Sequence, residues 1–362
     1  MKYRQTLLLA EKSITSAGTE TIDIRVKKPI SRITIAWRTV KSKNAMDAHP
    51  AKDITKIALI DGSFVLHSLS GYMNQALCIY NRKVPTMCYG QHIAASYEYS
   101  WYGLDFGRKL WDTQLAFDPT KFQMPQLQIT HNLALSDTGV TQAYMEVFAD
   151  VFDEKPVSPI GFLLSKEHYS YTPSTDGTYE YIKMPTDHPY RQLLIRAFEA
   201  GYDPHETIEK MKLDEDNDAR IPYDIDLEDY NRMNKGINSM VIEPLAGYIS
   251  SSETDHIYYI TPTDMTCAVA GHGHVAAGYT IGINTYPRGG KVILSASADC
   301  MFTGMAHGWL PNSTMQIPFG LQDDPDDWYD VRRVGDLRLR LEAGARGATG
   351  TCQVAIQQLR KY

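Results

Sequence analysis

The sequence predicts an all-β protein built from two tandem eight-stranded sandwiches with a few short helices. Three observations carry this expectation. Apolar and polar residues alternate at period two along many short segments. Helical periodicity is scarce. Gly, Pro, Asn and Asp punctuate the chain at intervals of roughly 8–15 residues, as in sandwiches and barrels. At 362 residues, 43% hydrophobic and 22% charged, the chain is long enough for two cores and too apolar for a disordered or fibrous protein.

The elements follow in order. Ile22, Ile24 and Val26 alternate with charged residues, and Ile33, Ile35 and Trp37 repeat the pattern after Pro29. A turn at Asp61-Gly62 separates two further strands. Met73, Leu77 and Tyr80 share one face of a short helix after Gly71. Leu127, Ile129, His131 and Leu133 alternate next, then Met145, Val147, Ala149 and Val151. Pro173–Gly177 reads as a boundary, giving an arm over 1–18, a first sandwich over 19–173 and a second over 174–362. In the second, strands are expected at Tyr179–Met184, Arg191–Glu199, Thr207–Leu213, Ile257–Thr261, Thr280–Tyr286, Val292–Ser297 and Met315–Phe319. Leu227–Met233 reads as a short helix with Asp226 as its N-cap. Leu337, Leu339 and Leu341, then Cys352, Val354 and Ile356, read as a hairpin closing the last sandwich across a glycine-rich turn. The stretch 235–310 fits this rhythm least and is expected to be a loop insertion.

Charge is concentrated. Of 36 basic and 43 acidic residues, Asp214–Asp229 holds eight acids against Arg220, so this stretch carries the whole net charge of −7. The remainder is balanced and offers no basic face for specific nucleic acid binding. The five cysteines stand far apart, form no CxxC motif and read as reduced, buried thiols, fitting assembly in a host cytoplasm. The leucine run of MKYRQTLLLAEKS is too short for a secretory core, and no segment approaches the roughly 20 apolar residues of a membrane span.

Few residues point to chemistry. Asp214-x-Asp216-x-Asp218 opens like a calcium loop, but the sixth and twelfth positions of a calcium hand hold Ala219 and Ile225 in place of glycine and glutamate. A looser structural calcium site on Asp214, Asp216 and Asp218 stays open beside a solvated acidic loop. His272 and His274 would point the same way on a strand and share a metal, as in cupin-like enzymes. Such sites also need a carboxylate and a third histidine, and the next of each are Asp299 and His307. Asp323–Asp327 is a second acidic loop, with Trp328-Tyr329 as its anchor. Cys78, His67 and His131 lie within apolar patterns and read as structural. GxSxG and GxxxxGK[ST] are both absent, so no catalytic residue and no cofactor beyond the calcium candidate is expected. Tyr97, Tyr99, Trp101 and Tyr102 cluster in one segment. Such a cluster suits a large interface or a sugar-binding platform.

Taken together, DITKIALIDGSFVLHSLSGYMNQALCIYNRKVP (53–85), FDPTKFQMPQLQITHNLAL (117–135), AYMEVFADVF (143–152), PYRQLLIRAFEAG (189–201), TIEKMKLDEDNDARIP (207–222), DLEDYNRMN (226–234) and the closing DLRLRLEAGARGATGTCQVAIQQLRKY resemble a known family. They are similar to the double-jelly-roll major capsid proteins of tailless, lipid-containing, corticovirus-like bacteriophages. The resemblance implies a structural virion protein and no enzyme. It implies a homotrimer of pseudo-hexagonal outline that tiles an icosahedral capsid beside neighbouring capsomers and penton or minor capsid proteins. It also implies an N-terminal arm directed inward, toward an internal lipid membrane. An all-β carbohydrate- or receptor-binding spike module and a cupin-like metal-dependent enzyme are the alternatives.

Overall fold

The structure, a computed structural model, describes residues 2–250, 256–273, 281–283 and 288–362. The first stretch forms β1 (Tyr3–Ile14), β2 (Gly18–Asp23), β3 (Ile30–Val40), β4 (Ile54–Asp61), β5 (Phe64–Leu69), α1 (Gly71–Arg82), β6 (Cys88–Gly90), β7 (Tyr97–Asp105), β8 (Pro125–His131), β9 (Ala143–Phe152) and β10 (Gly161–Tyr171). Then follow β11 (Tyr179–Lys183), β12 (Tyr190–Phe198), α2 (Pro204–Thr207), β13 (Ile208–Glu215), β14 (Arg220–Asp226) and α3 (Leu227–Asn234). The next group is β15 (Val241–Ile249), β16 (His256–Tyr259), β17 (Asp264–Gly273), β18 (Ile281–Ile283), β19 (Lys291–Ala296) and β20 (Cys300–Trp309). The chain closes with β21 (Thr314–Pro318), β22 (Leu337–Ala343) and β23 (Thr351–Lys361).

The all-β expectation holds, with two large sandwiches. One eight-stranded wall, ordered β2-β8-β4-β5-β10-β23-β12-β21, runs through both. Its first half faces the five-stranded sheet β1-β9-β3-β7-β6, and its second half faces β11-β22-β13-β14. The inward residues of each strand make the cores. Ile33, Ile35, Trp37, Leu127, Ile129, Met145 and Val147 fill the first. Leu193, Ile195, Leu337, Leu339, Leu341, Val354 and Ile356 fill the second. β10 serves both: Phe162 and Leu164 lie in the first core, while Tyr171 packs on the second.

Four expectations change. Residues 3–14 are not a free arm; they pair with β9 from Tyr3↔Phe152 to Ile14↔Ala143, with two bulges. Leu8, Leu9 and Ile14 pack on the first core across the bulged edge strand, while Leu7 stays exposed. The last two strands do not form a hairpin. β22 joins β11 and β13, while β23 joins β10 and β12 in the opposite sheet. Alternation fixes which side of a strand is buried but not which strand lies beside it. Leu133 is buried in the turn after β8, beyond the strand's end at His131.

The fourth change concerns 235–310. It holds a third, small sandwich in which β15-β20-β17 packs on β16-β19-β18. Its own core contains Leu245, Ile249, Tyr258, Val292, Leu294 and Phe302. Glycines interrupt its alternation, and Gly304 and Gly308 on β20 sit where a Cβ would meet the Ala268 and Asp264 carbonyl oxygens at 2.5 and 2.1 Å. Of the expected Thr280–Tyr286 strand, 281–283 is β18, and 280 and 284–286 lie outside the described residues.

Leu339 is 0% exposed in the middle of β22. Leu339→Asp places an unpaired charge there and is expected to leave no folded soluble chain, because a cost above about 4 kcal/mol is a large part of a domain's stability. Circular dichroism and gel filtration of the variant check this; a folded variant would reverse the assignment of β22's inward face.

Candidate functional site

The acidic run is a turn before it is a ligand set. Asp216, Asn217 and Asp218 have φ of 49°, 58° and 66°. Asp and Asn are the non-glycine residues that tolerate this left-handed region best, which accounts for the composition of the β13–β14 turn. Its three candidate carboxylates face protein partners. Asp214 is fully buried and pairs with Arg340 at 2.8 Å, and Asp218 pairs with Arg340 at 2.8 Å and Lys212 at 3.1 Å. Asp216 accepts from the Asp336 amide at 2.8 Å. Among the described residues, ligand atoms of Asp203, His205 and Glu206 do converge, and Glu206 is already bound by Arg288 at 2.8 Å.

The other candidates separate. His272 lies on β17 opposite Met301, and His274 lies outside the described residues. Trp328 does anchor the second acidic loop. Its indole donates to the Leu321 carbonyl at 3.0 Å, and it packs with Leu115, Leu163 and Leu359. Burial pushes the Cys78 and Cys352 thiols up to about 11 and about 12, away from nucleophilic use. Burial also holds His67 neutral, its pKa pushed down to about 3, against Asn74. Tyr102 belongs to the first core, whereas Tyr97, Tyr99 and Trp101 share the outer face of β7. There Tyr99 and Trp101 stack at 6.0 Å and 12°, and the Arg38 guanidinium lies between Tyr97 and Tyr144 at 4.8 and 4.4 Å.

The feature that sequence reasoning missed is the seam between the two large sandwiches. β12 is buried on both faces: Leu193 and Ile195 enter the second core, and Gln192, Leu194 and Arg196 point outward yet remain covered. The cover is α1. Its Met73, Leu77 and Tyr80, the face read from the sequence, pack on Leu194 and Ala355 of the wall. A bulge between Tyr190 and Gln192 lets consecutive residues reach the same partners. Arg191 Nη1 donates to Asn81 Oδ1 and Gln357 Oε1, both at 2.9 Å. Gln192 Nε2 donates to the same two oxygens at 3.1 and 2.6 Å. Gln357 passes the network to Ser165 at 3.2 Å, and the Tyr80 hydroxyl donates to the Thr314 carbonyl at 2.6 Å. Polar groups at the ends of an apolar helix face thus fix one docking register. The sequence does carry a signal for this seam: YRQLLIRAF has polar residues on its second face, but alternation alone reads these as solvated.

The small sandwich joins the same junction. Asn312 Nδ2 donates to the Tyr72 carbonyl at 3.2 Å, and Ser313 pairs with Thr263. His49 meets Thr261 at 3.1 Å, and the Thr261 amide donates to Glu243 at 2.7 Å. Lys41 is buried between Glu98 and His92, 3.2 Å from each. Elsewhere in the first sandwich, Asp53 accepts from Ser136 and Trp37. Burial outweighs those hydrogen bonds and pushes its carboxyl up to about 7, and burial likewise lifts Glu243 to about 7.

This arrangement contains no convergent acid, base and nucleophile among the described residues; it is a system of packed modules with aromatic outer faces. No protein-family profile matches the chain, and no curated protein matches it. Solved structures match across its length. The STIV major capsid protein shares 12% identity at a TM-score of 0.62, covering 100% of this chain and 98% of that one. The major capsid protein P2 of bacteriophage PM2 shares 9% at 0.56, covering 99% and 98%. A chain of the PBCV-1 virus capsid shares 10% at 0.59, covering 99% and 93%. At these identities the likeness is one of fold, and the fold is that of the double-jelly-roll major capsid proteins.

Two expectations follow from the seam and from buried Asp53. Gln357→Ala removes the oxygen shared by Arg191 and Gln192, so it should cost about 1–3 kcal/mol in denaturant unfolding, while Lys183→Ala, at an exposed position, stays within about 0.5 kcal/mol. Equal, small losses would show that the seam contributes little. For Asp53, the unfolded carboxyl ionises near 3.8 and the folded one at about 7. Between these values the folded state binds the extra proton, so Asp53's contribution to stability falls as pH rises from about 4 to about 7 and is level on either side. Asp53→Asn should remove this component, at most about 1.4 kcal/mol per pH unit. Unfolding midpoints measured across pH 4–8 check it; identical slopes in both proteins would contradict it.

Proposed function

We propose that this chain is a structural major capsid protein of an icosahedral virion. The observation that carries the reading is the pair of large sandwiches locked side by side through one continuous wall and α1, in a fold that matches capsid proteins from end to end. Two such modules per chain give a trimer six, which is the pseudo-hexameric outline needed to tile a lattice. A shell protein requires large lateral contacts and no tuned acid or base. Tyr97, Tyr99 and Trp101 on one outer face, and exposed Tyr179 and Tyr181 on β11, supply surface suited to such contacts.

The partners are then further copies of the chain, as homotrimers, beside neighbouring capsomers and the penton or minor capsid proteins that close a shell. An internal membrane would meet the β1–β2 groove, where Arg4, Arg25 and Lys27 stand beside Leu7 and Leu8. Gel filtration with light scattering on the purified chain, followed by electron microscopy, tests the reading. It predicts three chain masses or larger shells. A stable monomer at high concentration, binding sugar at millimolar levels, would replace it with the spike-module reading.

A further inference from the structure

Where the two large sandwiches and the small one meet, a cavity of about 370 Å³ opens between α1, β12, β16 and the turn before β21. Its volume falls in the range of small-molecule sites. Arg196 lines it and is 4% exposed. The guanidinium packs against two rings, 4.2 Å from the Tyr72 centroid and 4.6 Å from that of Phe198, which themselves stack at 6.3 Å. Its Nε donates to the Asn312 carbonyl at 3.1 Å and its Nη1 to Gln353 Oε1 at 3.2 Å. Among the described residues, Nη2 has no hydrogen-bond partner and no carboxylate lies within ion-pair distance. Glu167 is reached through Gln353, whose Nε2 donates to it at 3.1 Å.

A buried cation without an opposite charge is costly, and aromatic faces and neutral acceptors offset only part of the loss of water. The rest of the interior adds no second charge. His49, also in the lining, is held neutral, its pKa pushed down to about 3 by burial and by Arg196 itself. At the rim, Asp47 is paired with Lys43 at 2.6 Å, and Lys52 is exposed. The remaining wall is largely apolar, with Tyr72, Phe198, Tyr259 and Ile260. One interior cation, an open donor and an apolar surround define a ligand with a single negative head and a short hydrocarbon body.

We propose that this junction cavity is a binding site for a small monocarboxylate amphiphile, its carboxylate seated on Arg196 and its apolar body against Phe198, Tyr259 and Ile260. Planar guanidinium and planar carboxylate match in a charge-assisted pair, which an alcohol or an amine cannot form. A ligand there would touch all three modules and bind the folded junction alone, so it would also raise the melting temperature.

The test is isothermal titration and thermal melting of the full-length protein with octanoate, octanol, octylamine and acetate. The expected result is saturable one-to-one binding of octanoate with a raised melting temperature. Octanol and octylamine should bind at least tenfold more weakly for want of the carboxylate, and acetate at least tenfold more weakly for want of the body. Arg196→Gln should lose octanoate binding at least tenfold, and Ala200→Trp, which fills the cavity from its wall, should do the same with Arg196 intact. If Arg196→Gln does not fold, Ala200→Trp decides. Absence of saturable octanoate binding to the unmodified protein, equal binding of octanol, or wild-type affinity in Ala200→Trp would overturn the proposal.

Discussion

The structure depends on the seam that α1 makes with the outer face of β12 and β23. A sandwich ordinarily hides one face of each sheet and leaves the other to water. Here the second sandwich has its outward face covered by a helix that belongs to the first, so neither unit is complete alone. The cover is apolar at its centre, through Met73, Leu77, Leu194 and Ala355, and polar at its margins, through Asn81, Arg191, Gln192 and Gln357. Apolar contact alone permits sliding by a turn or a strand. The shared oxygens of Asn81 and Gln357 do not, because any other register strands buried donors. A shell subunit needs this property: its two modules must keep one spacing if copies are to tile.

The small sandwich extends the same logic. It meets the first sandwich through the His92–Gly247 bridge, the His92–Tyr258 ring contact and the His49–Thr261 hydrogen bond, and the turn into the second through Thr263 and Ser313. Buried charges add little net stability against an apolar equivalent, yet they penalise misplacement strongly. The junction therefore combines apolar packing in each core with polar pairings that form together in a single arrangement. Its unneutralised cation, Arg196, lies where all three units border a cavity.

Much of the fold was legible because inward residues alternate plainly. Ile33-x-Ile35-x-Trp37 and Leu337-x-Leu339-x-Leu341 are strands with one dry face, and Asp226 caps α3 through the Glu228 and Asp229 amides as its position implied. The misreadings have separate physical causes. Period two states which face is buried, not which strand is the neighbour, so β22 and β23 looked like a hairpin when they lie in opposite sheets. The small sandwich was hidden because Gly304 and Gly308 allow close strand contact while removing the pattern. The acidic run reads both as a calcium loop and as a left-handed turn, because aspartate and asparagine serve both. The seam was least visible, since glutamine on a strand's second face reads as solvated until the helix above it is known.

The most direct test of the account is a calorimetric scan of the intact chain. If the seam makes the two large sandwiches one cooperative unit, they melt in a single transition whose calorimetric and van't Hoff enthalpies agree. Two separated transitions, each with about half the heat, would mean that the sandwiches are independent modules on a shared chain, and the rigid paired building block would have to be given up.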